Sequence, residues 1–335
     1  MRIKDSNLSV EAITSMLADL ISKMQSYDIE QTVYLRIQGI QVTAPLTLGK
    51  LTLERCDDNY AETEIQSIAQ KFNLKKDNEE SFERIVANDF RSELKNHCVA
   101  KFKVIAEPAR AFERAKDEAR RVIDILRFTS KTLYNFSEDI RIGLDGDHPR
   151  AERRGFVSSC DGVIVTGDTV GSFRPLIIDE DAIEHMKETG AMSLVAFLTI
   201  ERPSKFQESL LRSVHWLSSA ITQSEHENKY LHLIIALETL FTPPKGEPIA
   251  NTIAESTALI INNTLPGRKQ IKKSIKLAYG ARSIIAHGGK KPITDSDYYT
   301  LLIYVINVLM TLIKKHEEFK DPQELINYLE DKKFS

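Results

Sequence analysis

The sequence has little of several features that mark specialised classes of protein. Only 14 of its 335 residues are glycine, which argues against collagen-like and glycine-linker architectures. Only three residues are cysteine, at positions 56, 98 and 160, and this odd number fits neither a disulfide framework nor a paired zinc knuckle. We therefore expect a reducing, cytoplasmic location. The net charge is only −3, so any affinity for nucleic acid must come from a local patch.

Long apolar segments are also scarce. No signal peptide is visible, because charged residues interrupt the first apolar stretch in an amphipathic pattern. The most apolar window, 298–313, has 16 residues, whereas a membrane-spanning helix needs about 20. We expect this window to form a buried helix and the protein to have no membrane partner.

Several common catalytic motifs are missing from the sequence. It contains no phosphate-binding glycine loop, no nucleophile elbow, no dinucleotide fingerprint and no His-Glu-x-x-His pattern. The histidines at 215, 226 and 232 lack the cysteine or carboxylate spacing of a metal site. We therefore expect neither a metal ion nor another cofactor.

Hydrophobic periodicity predicts an α+β protein whose two halves differ. Residues 1–180 mix helical patterns, clearest at 9–24, 62–96 and 108–134, with short alternating runs typical of strands, and predict one mixed α+β domain. Strand signals stop after about residue 180, and an all-helical bundle is predicted over 190–330. The strand-like runs are 33–37, 51–53, 99–105, 140–144 and 163–165. The C-terminal helices are predicted at 180–188, 204–223, 225–241, 249–263, 268–287 and 295–319.

Residues 256–294, the basic block, contain no aspartate or glutamate. They contain eight lysines and arginines, four of which recur at helical spacing and form one stripe. Two interpretations remain open, a surface that binds a polyanion and an ordinary solvated helix face, although solvated faces usually mix charges of both signs. The candidate RNA-binding residues are Lys269, Lys272, Lys273, Lys276, Lys290 and Lys291.

The basic block also contains the strongest candidate for chemistry, Arg282 with His287. At about 100° per residue, Arg282 lies in register with the apolar Ile271 and Ile275, whereas His287 points roughly 140° further round, towards the lysine stripe. An arginine on a packed, apolar face requires a partner or a ligand. His287 precedes two glycines that suit a helix C-terminus, and that position favours an imidazolium. We therefore expect His287 to hold a proton near neutral pH.

These residues resemble the signature of the HEPN superfamily, in which an arginine and a histidine are separated by four residues. The string Tyr-Gly-Ala-Arg-Ser-Ile-Ile-Ala-His-Gly-Gly at 279–289 is similar to that of its Apea-like branch. Segment 230–241, with its Ala-Leu-Glu core, resembles the other helix of that branch, and Trp216 stands where the branch tends to carry an aromatic residue. The resemblance covers about residues 194–320 and does not reach 1–180.

The resemblance implies a metal-independent endoribonuclease that acts as a homodimer. In such an enzyme the 2′-hydroxyl of RNA attacks the adjacent phosphorus, and a general acid or base moves the protons. His287 is the implied acid or base, and Arg282 the residue that stabilises the charge. Ser283 stands where active members often carry a more polar residue. Glu238 either orients Arg282 or faces solvent, and Tyr279 is either a supporting residue or part of the core.

The resemblance also implies a biological setting. Such ribonucleases act as toxins or as effectors of anti-phage defence, with RNA and a second copy of the chain as partners. The domain at 1–180 would then be regulatory or sensing, responding to a partner or to a phage-derived trigger, an inference from analogy alone. The alternative is a non-catalytic HEPN module that dimerises or binds a partner protein or nucleotide.

Overall fold

In the computed structural model, the described residues are 14–18, 29–71, 82, 86–134, 140–145, 147, 152–159, 162–169, 174–241, 248–289 and 291–334. Most of the helix predicted at 9–24 and part of the helical region predicted at 62–96 lie outside these ranges. Cys160 and Lys290 lie outside them too. The structure is α+β, as predicted, with a small antiparallel sheet in the N-terminal half and helices in the C-terminal half.

A five-stranded antiparallel sheet forms the centre of the N-terminal half. Its strand order is β3-β4-β5-β1-β6. Apolar residues that alternate along the central strands point to one buried face, as at Leu35 and Ile37, which pair with Ala100 and Cys98. The strands of this sheet are β1 (Glu30–Gln38), β3 (Leu46–Leu48), β4 (Leu51–Arg55), β5 (Cys98–Ile105) and β6 (Gly143–Leu144).

Two smaller strand pairs accompany this sheet. β2 (Ile40–Val42) pairs in parallel with β9 (Leu176–Ile178), and β7 (Glu152–Ser159) pairs in antiparallel with β8 (Gly162–Thr169). Within the described residues, 14–18 are helical, and the longer helices of this half are α1 (Asp58–Lys71), α2 (Asn88–Leu94) and α3 (Pro108–Leu133).

Helix α3 packs against the sheet and matches its predicted bounds closely. Pro108 occupies the first turn, where its missing N–H leaves no hydrogen bond unmade. Small residues such as Ala115 and Ala119 are buried and bring the helix close to the strands. Phe112 follows the same helical spacing as these residues but is 47% exposed, and Lys116 lies over its ring. Ala111, one residue earlier, takes the buried position instead.

The described residues of the C-terminal half form helices and the turns and loops between them. Capping boxes begin α6 and α10 at Ser204 and Thr294, and in the second of these the reciprocal partner is Asp297. Two helices, α5 and α11, are not in the sequence prediction, and α10 ends five residues before its predicted end. The helices are α4 (Glu180–Thr189), α5 (Ala191–Phe197), α6 (Lys205–Thr222), α7 (His226–Leu240), α8 (Ile249–Ile261), α9 (Leu265–Ala286), α10 (Asp295–Lys314) and α11 (Pro322–Phe334).

Among the described residues, α10 is the one helix long and apolar enough to cross a bilayer by length and composition. Half of its apolar window is buried, and the helix packs against α6, α7 and α8. Such burial is typical of a core helix, as predicted for 298–313.

The hydrophobic core is continuous between the two halves. It runs from the sheet through α3 to α6 and the helices beyond, and α3 packs directly on α6. The buried Arg127 of α3 connects both sides: its Nε donates to the carbonyl of Ile142 at 2.7 Å, and its Nη1 to the hydroxyl of Ser218 at 3.0 Å. The boundary near residues 180–190 stays a prediction, because a shared core does not show where independent folding units meet.

The contact between α3 and α6 predicts pH-dependent stability. Asp124 lies 2.8 Å from His215 Nδ1, and this hydrogen bond raises the pKa of His215 despite partial burial. The stabilising effect is therefore fully present at pH values below about 6.5, the pKa of His215 in the unfolded chain. It is lost as the pH rises through the higher pKa of His215 in the folded protein. We expect the His215→Gln variant to lose more unfolding free energy at pH ~5.5 than at pH ~8 in urea titrations. An equal loss at both pH values would contradict this coupling.

Candidate functional site

Helix α9 carries most of the basic block and ends at the candidate histidine. Its Thr264 hydroxyl caps the first turn, and Ile271 and Ile275 are buried. At the other end, Gly288 adopts a left-handed conformation with φ +77°, and its N–H donates to the carbonyl of Ile285 at 3.0 Å. The N–H of Gly289 reaches back to Ile284 at 2.9 Å, which completes a Schellman motif. The predicted glycine cap after His287 is confirmed.

Arg282 lies on the packed side of α9, where it meets a carboxylate. Its Nη2 is 3.4 Å from both carboxylate oxygens of Glu238 on α7, an ion pair rather than a tight hydrogen bond. The side chains are 31% and 19% exposed, respectively, so water still reaches the pair. Glu238 therefore pairs with Arg282, which is the first of the two interpretations that the sequence allowed.

Tyr279 completes this arrangement, and we name the three residues Glu238, Tyr279 and Arg282 the arginine cluster. The guanidinium carbon of Arg282 lies 5.6 Å from the centre of the Tyr279 ring. Burial raises the pKa of Tyr279, and the charge of Glu238 and a hydrogen bond to it act in the same direction. Arg282 Nε is buried and has no hydrogen-bond partner among the described residues, so the guanidinium keeps one unused donor.

His287 lies outside the arginine cluster. Its side chain is exposed at the C-terminus of α9, and its backbone N–H donates to the carbonyl of Ser283 at 3.3 Å. Ser283 thus takes part in the helix end through its backbone, while its half-buried side chain has no assigned role. No hydrogen bond or ion pair joins Arg282 to His287 among the described residues. One protomer therefore displays the two groups on different sides of the helix, about 140° apart.

The predicted lysine stripe is only partly available to a ligand. Lys269, Lys273 and Lys276 are exposed, as is Lys291 after the helix end. Lys272 is instead paired with Glu255 of α8, which also binds Lys333 at 2.9 Å. Burial opposes the ionisation of Glu255, but hydrogen bonds from both lysines prevail and lower its pKa to about 2. Lys272 therefore tethers α9 to α8, whereas the other three lysines face solvent.

Apolar residues around the candidate site were not singled out by the sequence analysis. Leu277, 67% exposed, and Ile284 lie among the exposed lysines of α9. On the neighbouring α7, Leu231 and Ile235 are half-buried and precede Glu238 on the same face. The sequence signal was present, since Leu277 and Ile284 are seven residues apart and fall outside the arc of Ile271 and Ile275. No group of three or more His, Cys, Asp or Glu residues with metal-binding geometry occurs within the described ranges.

Comparisons with known protein families, with curated proteins and with solved structures give no match to this chain. The resemblance to the HEPN superfamily therefore rests on the residues quoted above.

Proposed function

We propose that this protein is a metal-independent endoribonuclease of the HEPN type. The observation that carries the proposal is the end of α9, where Arg282, held beside Glu238 with an unused buried Nε donor, is followed by an exposed His287. Exposed lysines on the same helix, in a segment free of acidic residues, supply attraction for a phosphate backbone.

The chemistry requires one proton-transfer group and one cation. A general base accepts the proton of the RNA 2′-hydroxyl while the oxygen attacks the adjacent phosphorus, and His287 acts as this base when its imidazole is neutral or as the acid when it is protonated. The bond to the 5′-oxygen then breaks, and an acid returns a proton to that oxygen. Arg282 binds the phosphorane, which carries added negative charge. Its planar guanidinium can contact two of the phosphorane oxygens at once. The products are a 2′,3′-cyclic phosphate and a 5′-hydroxyl.

The separation of Arg282 and His287 favours a site shared between two protomers. Both flank the face of α9 that carries Tyr279 and Ser283, each roughly 70° to one side of it. A second α9 lying against this face is within reach of both groups, and the half-buried Leu231 and Ile235 of α7 extend the same contact. A twofold dimer of this kind places the arginine of one copy near the histidine of the other.

The test is RNA cleavage by the purified chain in the presence of a chelator. We expect cleavage with cyclic-phosphate ends, no cleavage when the RNA is replaced by its 2′-deoxy analogue, and loss of cleavage in His287→Ala. His226→Ala, which removes a histidine of α7 that pairs with Asp295, is the matched control and should cleave normally. Cleavage that survives both Arg282→Ala and His287→Ala would show that the chemistry lies elsewhere.

A non-catalytic module is the second candidate, and the exposed Leu277 and Ile284 favour it. Apolar side chains on a basic helix suit a protein or nucleotide partner as well as they suit RNA. Intact RNA with a dimeric protein, together with harmless expression in cells, would support this candidate. Toxic expression that Arg282→Ala or His287→Ala abolishes would support the ribonuclease.

The biological role that we propose is that of a cytoplasmic toxin or anti-phage effector. Uncontrolled RNA cleavage harms the cell that contains it, so such an enzyme needs a means of restraint. The N-terminal half, which the resemblance does not cover, is the part that we assign to sensing a trigger or a regulatory partner.

A further inference from the structure

We propose that the N-terminal half contains a binding site for a small anionic molecule, in a cleft at one end of the five-stranded sheet. The cleft has a volume of about 1850 Å³ and is open to solvent. Because neighbouring strands run in opposite directions, the last residues of β1 and β4 meet the first residues of β5 there. Segment 39–45, the start of α1 and residues 141, 145, 175 and 177 complete its walls. We name it the sheet-end cleft.

Two buried donors at the sheet-end cleft have no partner among the described residues: Arg36 Nε and Tyr60 Oη. The other two nitrogens of Arg36 each have a partner: Nη2 pairs with Asp145, and Nη1 donates to the carbonyl of Glu93 at 3.3 Å. Burial raises the pKa of Tyr60, so its hydroxyl stays protonated and able to donate. Unpaired buried donors are unfavourable, and a ligand with acceptor oxygens would relieve both once the lining side chains shift to admit it.

The backbone of the cleft is also unusual. Gly39 has φ +76°, and a Cβ there would lie 1.7 Å from the carbonyl oxygen of Arg141. Asn96 has φ +65°, and no other non-glycine residue in the described part of the chain has a positive φ. Glycine adopts such a φ readily, so Gly39 marks a close approach of two backbone segments, whereas a positive φ is uncommon at a non-glycine residue such as Asn96, and such conformations cluster at binding and catalytic sites. Both residues line the cleft.

The charges left over in the cleft identify the class of ligand. Three of its four acidic groups have partners, and for two of them a partner is a cation: Asp145 binds Arg36 and Gln38, Glu64 binds Lys101 and Tyr34, and Asp57 accepts only the backbone N–H of Tyr60. Glu54 is the exception.

On the basic side, Arg55 is exposed and has no side-chain partner among the described residues, and His97 is near Asp145. With Arg36 Nε and Tyr60 Oη, these groups favour a carboxylate or phosphate over a cation. The apolar Ile37, Ile40 and Ile177 suit the body of such a molecule.

Calorimetry and thermal unfolding of the full-length protein test this site, with inorganic phosphate, adenosine monophosphate and succinate as probes. We expect at least one probe to bind saturably and to raise the unfolding temperature. Its affinity should fall about tenfold in both Tyr60→Phe and Arg55→Gln, each of which removes one donor group. Arg110→Gln, an exposed arginine of α3 outside the cleft, is the control and should bind normally.

The outcomes separate the possible ligands. Binding of succinate but not phosphate assigns a carboxylate ligand, and binding of phosphate or the nucleotide assigns a phosphorylated one. Equal affinity for uncharged adenosine would overturn the anionic class, as would saturable binding of none of the three probes. Binding that both variants leave unchanged would overturn the location. None of these results depends on ribonuclease activity.

Discussion

Replacing Arg127 by methionine is expected to lower the free energy of unfolding by about 3–5 kcal/mol, because it breaks a buried polar network. Arg127 is only 8% exposed, and it donates to Ile142 and to Ser218. Methionine fills a similar volume but offers neither bond a donor. The carbonyl of Ile142 and the hydroxyl of Ser218 would remain buried without this partner, and buried groups of this kind are costly to leave unpaired.

The charge of Arg127 adds to this effect. Burial lowers the pKa of Arg127, whereas the charges of Asp124 and Asp147 act to raise it. The guanidinium remains protonated in any case. Its Nη1 is 3.9 Å from Asp124, so the substitution also leaves Asp124 with less compensation. Urea unfolding provides the measurement, and a single transition is expected because one core joins both halves.

The matched control is Arg120→Met on the same helix. Arg120 is exposed and makes only a 3.7 Å pair with Asp117, so its replacement should change stability by less than about 0.5 kcal/mol. If the two variants were equally stable, the network around Arg127 would not be the connection between the sheet and the helices that we describe.

Local signals explain which elements could be predicted from the sequence. The proline at the start of α3, the capping box at Thr294 and the glycines after His287 each act within a few residues, and the glycines end α9 as predicted. The helix after Gly190 is a contrasting case. Gly190 adopts φ +85°, ends α4 and at once begins α5, so two short helices take the place of one helix followed by a loop.

Long-range pairing explains what could not be predicted. β2 and β9 are paired although more than 130 residues separate them, and no local pattern contains that information. The partnership of Lys272 with Glu255 has the same origin, because helical spacing shows which side chains share a face but not what the neighbouring helix presents. The sheet-end cleft likewise combines segments from Arg36 to Ile177, which no single motif connects.

The candidate site shows both situations in one place. Periodicity alone predicts that Arg282 lies on the packed side of α9 and that His287 points elsewhere, and the structure has this arrangement. Whether Glu238 contacts the guanidinium depends on how α7 packs beside α9. The sequence does not contain that information, so it left two alternatives for Glu238. The relation between Arg282 and His287 of different protomers is a further step away, since it depends on a second copy of the chain.

Mixing Arg282→Ala with His287→Ala protein is expected to restore RNA cleavage that neither variant retains. Each substitution alone should lower the cleavage rate by about 10²–10³-fold, the usual effect of removing an acid–base group or a charge-stabilising donor. In a shared site, however, the first variant still supplies a histidine and the second still supplies an arginine. A dimer formed from one chain of each kind therefore has one complete site and one site lacking both groups.

The size of the restored activity distinguishes a shared site from one contained in a single chain. After co-expression or refolding of an equal mixture, about half of the dimers are mixed, so activity should reach roughly a quarter of that of the unaltered protein. If Arg282 and His287 acted within one chain, no complete site would form and the mixture would stay as inactive as its parts. Arg282→Lys should complement His287→Ala as well as Arg282→Ala does, because position 282 of that chain lies in the site that is inactive in either case. By itself Arg282→Lys should stay impaired, because a lysine cannot contact two phosphorane oxygens with one planar group.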